Sequence, residues 1–192
     1  MKVIIAEKPS VAQQIAAVVG ATARKDGYIE GGGYAVTWAF GHLVGPAMPE
    51  AYGIEGFKRE NLPILPETFV LEPRRVKSGK EYKPDPGAVH QLAVLKELFS
   101  RTERIVVATD AGREGELIFR FIYHYLDCKT PFDRLWISSL TERAIREGLA
   151  NIRPGSEYDD LYLSARARCE ADWIVGINAS QAPVSYTHLT LP

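Results

Sequence analysis

The sequence predicts an α/β fold, with a mostly parallel sheet flanked by helices. Two apolar runs of strand length, Lys2–Ala6 and Ile105–Ala108, each end in an acidic turn that leads into a segment of helical periodicity. In open α/β sheets, active sites form at the carboxyl ends of the parallel strands. We therefore expect the two acidic turns to lie side by side.

The first turn carries Glu7, Lys8 and Ser10, and a helix is predicted over residues 11–19 with Ser10 as its N-cap. If the two strands are neighbours, Glu7 converges with the downstream acidic turn. Lys8 would then place a positive charge beside a metal, which suits a phosphate between them. The alternative is that both charges are merely solvated at a strand end.

Residues 28–40 predict a hairpin, because glycines occupy its centre. These glycines lack the Lys-Ser/Thr of a phosphate loop, so no nucleotide cofactor is expected. Residues 45–86 are rich in proline, glycine and charge, and predict an irregular insertion on the edge of the sheet with one strand at residues 68–71. An amphipathic helix follows at residues 88–99.

The second turn carries Asp110, Glu114 and Glu116 within seven residues, with Arg113 among them. Carboxylates beside a cation indicate a divalent-metal site that handles phosphate. The alternative is a helix N-terminus whose acidic residues only interact with the helix dipole. The acidic end of the first strand favours the metal site.

The remaining periodicity predicts an apolar helical face from Leu117 to Tyr125 and a helix from Thr141 to about Leu149. A short strand is predicted at residues 135–137, a linker at 151–155, and one or two helices over 158–179.

Four motifs follow one another along residues 1–182. They are Glu7-Lys8-Pro9-Ser10, Gly41-His42-Leu43, the sequence DAGREGE at residues 110–116, and ADWIVGIN at residues 171–178. Together they resemble the bacterial topoisomerase III family of type IA DNA topoisomerases. The resemblance implies a Rossmann-like Toprim domain over residues 1–150, the start of a helical domain over 151–182, and a tail at 183–192 outside the family pattern.

The resemblance also implies roles for individual residues. Glu7 would be the general acid and base at the leaving 3′ oxygen, and Lys8 and Arg113 would stabilise the scissile phosphate. Mg²⁺ or Mn²⁺ would be held by Asp110, Glu114 and Glu7. The residues implied to contact single-stranded DNA are Ser10, His42, Arg168, Asp172, Ser180 and Gln181.

The chain departs from the family pattern at two points. Gly112 stands where many Toprim proteins carry the second aspartate of Asp-x-Asp-x-Glu, which leaves Asp110 and Glu114. The family's nucleophilic tyrosine lies beyond the Toprim domain, and none of the nine tyrosines here has its context. We therefore expect this chain alone to be inactive.

Composition limits the partners. A net charge of −1 gives no overall attraction to nucleic acid, so DNA affinity must come from a local patch. Cations cluster at residues 74–83, although such runs more often form a solvated face than a binding surface. The sequence contains neither a signal segment nor an apolar run of the roughly 20 residues that span a bilayer.

We expect a cytoplasmic, nucleoid-associated monomer that binds single-stranded DNA. Cys128 and Cys169 lack a CxxC partner and indicate free thiols in a reducing compartment. Two other functions stay open: a Toprim metal site of the primase or nuclease kind, and a non-enzymatic fragment that binds metal or single-stranded DNA. The motif at residues 171–178 disfavours the primase or nuclease kind.

Overall fold

The computed structural model describes residues 1–55, 58–79 and 81–187, with the side chains of these ranges except those of residues 59 and 181–187. The strands are β1 (Lys2–Ala6), β2 (Ala23–Lys25), β3 (Tyr28–Gly31), β4 (Tyr34–Trp38), β5 (Val44–Pro46), β6 (Leu71–Pro73), β7 (Arg75–Ser78), β8 (Glu81–Pro84), β9 (Ile105–Ala108), β10 (Phe132–Arg134) and β11 (Arg153–Pro154). The helices are α1 (Pro9–Val19), α2 (Pro86–Ser100), α3 (Arg113–Tyr125), α4 (Glu142–Ala150) and α5 (Asp159–Thr187).

The main sheet has the strand order β11-β10-β9-β1-β4-β3-β2. β1 lies parallel to both β9 and β4, with Ile4 opposite Val106 and Val36, and β10 lies parallel to β9. Residues 3–6 of β1 are fully buried, as consecutive apolar residues are when helices cover both faces of a parallel sheet. The predicted α/β class and the adjacency of the two strands are confirmed.

The outer strands are antiparallel. β3 and β4 form the predicted hairpin, and β2 and β11 extend the two ends of the sheet. Gly32 in the hairpin turn has φ of +57°, and a Cβ there would stand 2.3 Å from the carbonyl oxygen of Val19. The hairpin turn therefore requires glycine at this position.

Two apolar clusters cover the two faces of the sheet. Val3 and Ile5 of β1 point toward α2, α3 and the start of α5, whereas Ile4 and Ala6 point toward α1 and α4. The predicted apolar faces of residues 88–99 and 117–122 lie in the first cluster, but Tyr125 is 39% exposed. The alternation along β1 thus decides which helices pack together.

Two local predictions were wrong. α1 begins at Pro9 with Lys8 at the N-cap, because proline suits the first helical position and needs no hydrogen bond there; Ser10 therefore lies inside the helix. The predicted strand at residues 135–137 lies three residues earlier, at β10. Arg134 at the end of β10 is fully buried, where it pairs with Glu116. Because this buried strand contains a charged residue, its sequence lacks the apolar run on which the prediction depended.

The insertion at residues 45–86 does not lie on the edge of the main sheet. It contains two small antiparallel sheets, β5 with β6 and β7 with β8, and its first pair packs against α3. The strand expected at residues 68–71 is β6, at Leu71–Pro73. The edge strands of the main sheet are instead β2 and β11.

The segment interpreted as a linker, residues 151–155, is also part of the sheet. Its β11 pairs with β10, and a Cβ at Gly155 would lie 2.1 Å from the ring of Phe132. α5 then runs as one helix through residues 159–187. No helix in the described part of the chain combines the length and apolar character needed to cross a membrane.

Candidate active site

The two acidic turns meet at the carboxyl ends of β1 and β9. Glu7 is 8% exposed, and its Oε2 accepts a hydrogen bond of 3.4 Å from the backbone N–H of Asp110. Lys8 Nζ lies 3.7 Å from Glu7 Oε1 and is largely exposed. The buried carboxylate of Glu7, with the exposed Lys8 beside it, therefore contacts the backbone of Asp110, whose side chain is exposed.

The turn that follows β9 is tightly packed against the start of α3. Thr109 Oγ1 donates to the carbonyl of Gly115 at 2.7 Å. A Cβ on Gly115 would lie 2.1 Å from the carbonyl oxygen of Asp110, so no side chain fits. The backbone of Asp110 is consequently held in one position while its carboxylate faces solvent.

Glu116 is not part of the open site. Its carboxylate is fully buried and accepts from Arg120 Nε and from Arg134 Nε, each at 2.9 Å. Such a group is stable in the interior only because both of its oxygens are paired. The sequence analysis grouped Glu116 with the acidic residues of a metal site, but Glu116 lies in the core.

Arg134 joins this ion pair to the backbone of the acidic turn. Its guanidinium donates to the carbonyls of Val107 at 3.0 Å, Thr109 at 2.8 Å and Asp110 at 2.8 Å. Burial lowers the pKa of Arg134, and Glu116 opposes that shift. The sequence analysis did not predict the role of Arg134. The one local signal of a buried ion pair was Arg120, which stands four residues after Glu116 inside an apolar helical stretch.

A cleft of about 550 Å³ opens between α3 and α5. The polar side chains that line it come from both helices and from the turn after β4: His42, Arg113, Glu114, Arg168, Cys169 and Asp172. His42 Nε2 is hydrogen-bonded to Glu114 Oε1, and Arg168 Nε lies 3.6 Å from Asp172 Oδ2. The cleft thus presents two arginines on a surface that also carries carboxylates, as a phosphate site with bound cations requires.

The expected convergence of three carboxylates is not present. Within the described ranges, no three acidic, histidine or cysteine side chains stand close enough to hold a metal ion together. Glu7 turns toward the Asp110 N–H, whereas Glu114 turns toward His42. The carboxylates of Asp110 and Glu114 are both exposed.

Two predicted DNA contacts, Ser10 and Ser180, are not among the residues that line this cleft. Ser10 is exposed in the first turn of α1, and Ser180 donates to the carbonyl of Gly176 within α5. The side chain of Gln181 lies outside the described residues. The roles assigned to these three residues stay predictions.

The motif at residues 171–178 attaches the insertion to α5. Asn178 accepts from the N–H of Ile64 at 2.7 Å and donates to its carbonyl at 3.0 Å. Tyr52 and Phe69 of the insertion pack edge-to-face on Trp173, with ring centroids 6.0 and 5.3 Å apart. Trp173 and Asn178 therefore hold the insertion in place.

Two kinds of comparison with known sequences bear on the site. Residues 2–140 match the Toprim domain family. The chain is 48% identical over 182 residues to DNA topoisomerase 3 of Bacillus subtilis, and 47% identical over 182 residues to the protein of that name from Bacillus licheniformis. Each alignment covers 94% of this chain and 24% of the relative, so the chain spans about a quarter of the relatives' length.

Among solved structures, full-length topoisomerase I from Thermotoga maritima is similar, with 25% identity and a TM-score of 0.49 over 79% of this chain and 21% of that one. The Toprim match includes both acidic turns and extends over most of the sequence. The chain therefore belongs to the Toprim domain family.

Proposed function

We propose that this chain is the Toprim part of a type IA DNA topoisomerase of the topoisomerase III kind. In the longer protein it would help to cleave and rejoin single DNA strands, as a monomer in the cytoplasm, at the nucleoid. The observation that carries the proposal is the contact of Glu7 with the acidic turn at Asp110, across adjacent parallel strands. The 48% identity to DNA topoisomerase 3 supports it.

Each residue of the two turns has a distinct part in this proposal. Glu7 donates a proton to the leaving 3′ oxygen during cleavage and takes it back during rejoining. Lys8, beside it, and Arg113, at the mouth of the cleft, bind the oxygens of the scissile phosphate. Arg168 on α5 holds a neighbouring phosphate of the same strand.

Asp110 and Glu114 are the proposed ligands of Mg²⁺, with Mn²⁺ as a substitute. The bound ion would neutralise charge on the phosphate. Because Oε1 of Glu114 is bonded to His42, only its second oxygen is free for the ion unless that contact is exchanged. The proposal therefore predicts weak metal binding that depends most on Asp110.

Metal binding can be measured by Mn²⁺ paramagnetic relaxation or calorimetry. Asp110→Asn should abolish the saturable signal, because it removes a charged ligand at the centre of the site. Asp160→Asn, which removes an exposed carboxylate at the start of α5, is the matched control and should bind Mn²⁺ as the wild type does. Unchanged binding in Asp110→Asn would place the ion elsewhere.

The chain alone should not cleave DNA. No tyrosine of the described residues lines the cleft at Arg113 and Glu114, and the side chain of Tyr186 lies outside the described set. A covalent phosphotyrosine step would need a nucleophile supplied by another part of the longer protein. Single-strand nicking by the chain alone, with no covalent adduct, would favour a nuclease-like Toprim function instead.

A chimera tests the whole proposal. Residues 1–182 would replace the matching segment of the Bacillus subtilis DNA topoisomerase 3. With Mg²⁺, the chimera should relax negatively supercoiled plasmid, and Glu7→Gln in the same chimera should not, because it removes the proton donor. A folded chimera without activity, or one that stays active with Glu7→Gln, would refute the proposal.

A further inference from the structure

The hairpin formed by β7 and β8 has no part in the core. Within the described residues its strands pair only with each other, and seven of their eight residues are exposed. Tyr82 is 60% exposed, although large aromatic rings are usually at least half-buried in a folded protein. The composition of this hairpin is therefore not explained by folding.

The register separates the hairpin into two unlike faces. Lys77 stands opposite Tyr82, and Arg75 stands opposite Pro84, so Arg75, Lys77 and Tyr82 share one face. The other face carries Lys83 and Glu81, whose charges lie 3.4 Å apart and largely cancel. The first face, which we call the hairpin platform, has no acidic residue of its own.

The charges of the platform are largely available. The nearest carboxylate to Arg75 is that of Glu72, at 3.9 Å, which is a weak contact. Lys77 makes no ion pair with any residue that the structure describes. The Arg75 side chain also donates to the backbone carbonyl of Tyr82 at 2.7 Å, which ties its guanidinium to strand β8.

An exposed aromatic ring between two cations is the composition of a single-strand binding surface. Bases stack on the ring, and the cations contact the phosphates on either side. Tyr82 and Arg75 also line an open cleft of about 820 Å³ between the hairpin and the β5–β6 pair. Glu50, Glu72 and Glu81 line the same cleft, which favours an uncharged base there and leaves the phosphates to Lys77.

The hairpin is anchored to the turn that reaches the candidate active site. Arg74, just before β7, donates from its backbone N–H to the carbonyl of Leu43 at 2.7 Å and from its side chain to that of His42 at 3.4 Å. His42 in turn contacts Glu114. The base of the hairpin is therefore bonded to the same turn that contributes His42 to the cleft.

We propose that the hairpin platform binds single-stranded DNA at a contact separate from the Glu7–Asp110 site. The identity of the ligand rests on the proposed function, but the residues do not belong to that site. The stacking base lies on Tyr82, and the flanking phosphate lies on Lys77, outside the glutamate-lined cleft. The contact needs no metal.

The test is fluorescence anisotropy of a labelled oligothymidine with the full chain in EDTA. Tyr82→Ala should weaken binding at least about fivefold, because a stacked base is lost. Tyr82→Phe keeps the ring and should bind as the wild type does. Lys77→Ala should lower the slope of log affinity against log salt concentration by about 0.7, which is the value for one phosphate contact on a single strand.

Lys25→Ala is the matched control for Lys77→Ala. Lys25 is also exposed and also stands opposite a tyrosine, Tyr28, but on β2 at the far end of the main sheet. It should change neither the affinity nor the salt slope. Thermal unfolding should show that Tyr82→Ala folds normally, because the residue is exposed.

Three results would overturn the proposal. If Tyr82→Ala binds like the wild type while Arg168→Ala binds more weakly, the hairpin platform fails and the proposed function survives. If Tyr82→Ala weakens the binding of a duplex of the same sequence as strongly as the binding of the single strand, stacking on Tyr82 is refuted. If the wild-type chain binds no single-stranded DNA, the hairpin platform fails, whereas the proposed function is still decided by the chimera.

Discussion

Glu114 and Glu116 stand two residues apart in the first turn of α3, yet their surroundings are opposite. The Glu114 side chain is 71% exposed, and its partner, His42, is also exposed. The Glu116 side chain is 0% exposed and pairs with two arginines. One face of the same turn is therefore open for chemistry, and the other is part of the core.

The difference shows how the open face is supported. Arg134, held by Glu116, binds the backbone carbonyl of Asp110, whose side chain faces solvent. A site that must hold charged ligands in fixed positions needs such support from rigid neighbours. The buried ion pair supplies position, whereas the exposed carboxylates of Asp110 and Glu114 are the proposed metal ligands.

The largest expected effect is the loss of the buried pair. Glu116→Ala leaves Arg134 buried without its carboxylate, and we expect the free energy of unfolding to fall by about 3–5 kcal/mol. Glu114→Ala, the matched change on the open face, should cost under about 1 kcal/mol. Urea unfolding measures both; similar losses in the two variants would refute the division of the turn into two faces.

The next largest loss of stability should follow from breaking the contact between α5 and the insertion. Asn178→Ala removes both hydrogen bonds to Ile64, and we expect a loss of about 1–3 kcal/mol, with faster amide exchange at Ile64. Val175→Ala on the same helix, where the side chain is 66% exposed, is the control and should change neither. Unchanged exchange at Ile64 in Asn178→Ala would mean that aromatic packing alone holds the insertion.

Acid should weaken the base of the hairpin. The hydrogen bond from Arg74 holds the pKa of Asp85 below its ordinary value of 3.8, so its stabilising contribution is complete above that value and is lost as the pH falls through the lowered pKa. Urea unfolding between about pH 5 and pH 3 should therefore show a smaller decline in Asp85→Asn than in the wild type.

Asparagine can still accept from the N–H of Gly87, as Asp85 does at 2.9 Å, so the N-cap of α2 is retained in this variant. An identical decline in the two proteins would show that Asp85 makes no net contribution to the acid sensitivity.

The smallest expected effect is on the open face itself. A double-mutant cycle with His42→Ala and Glu114→Gln should give a coupling energy of about 0.2–1 kcal/mol, because both side chains are exposed. A coupling of several kcal/mol would mean that this contact, like that of Glu116, is structural.

Some of these features could be predicted from the sequence. β1 and β9 are short apolar runs that end in acidic residues, and the helix cap at Thr141 has its expected hydrogen bond to the N–H of Ala144. Their signals are local, because strand length, apolar content and capping chemistry lie within a few residues.

The remaining features depend on contacts far apart in the chain. The position of β10 was predicted wrongly because a charged residue, Arg134, lies in it. Arg134 can be buried there only because it pairs with Glu116, 18 residues away. The position of the insertion depends on Asn178 and Ile64, which are 114 residues apart. The division between Glu114 and Glu116 also needs Arg134 of the neighbouring strand β10, 18 residues from Glu116, which no local window contains.

The pairing of β11 with β10 has a practical consequence for dividing the chain. Arg120 donates to the carbonyl of Gly155 at 3.0 Å and to Asp159 at 2.6 Å, so the interior of α3 is completed by residues beyond 150. A polypeptide ended at residue 150 would expose β10 as an unprotected edge and leave part of a buried guanidinium unsatisfied. The smallest soluble folding unit should therefore include the first turns of α5.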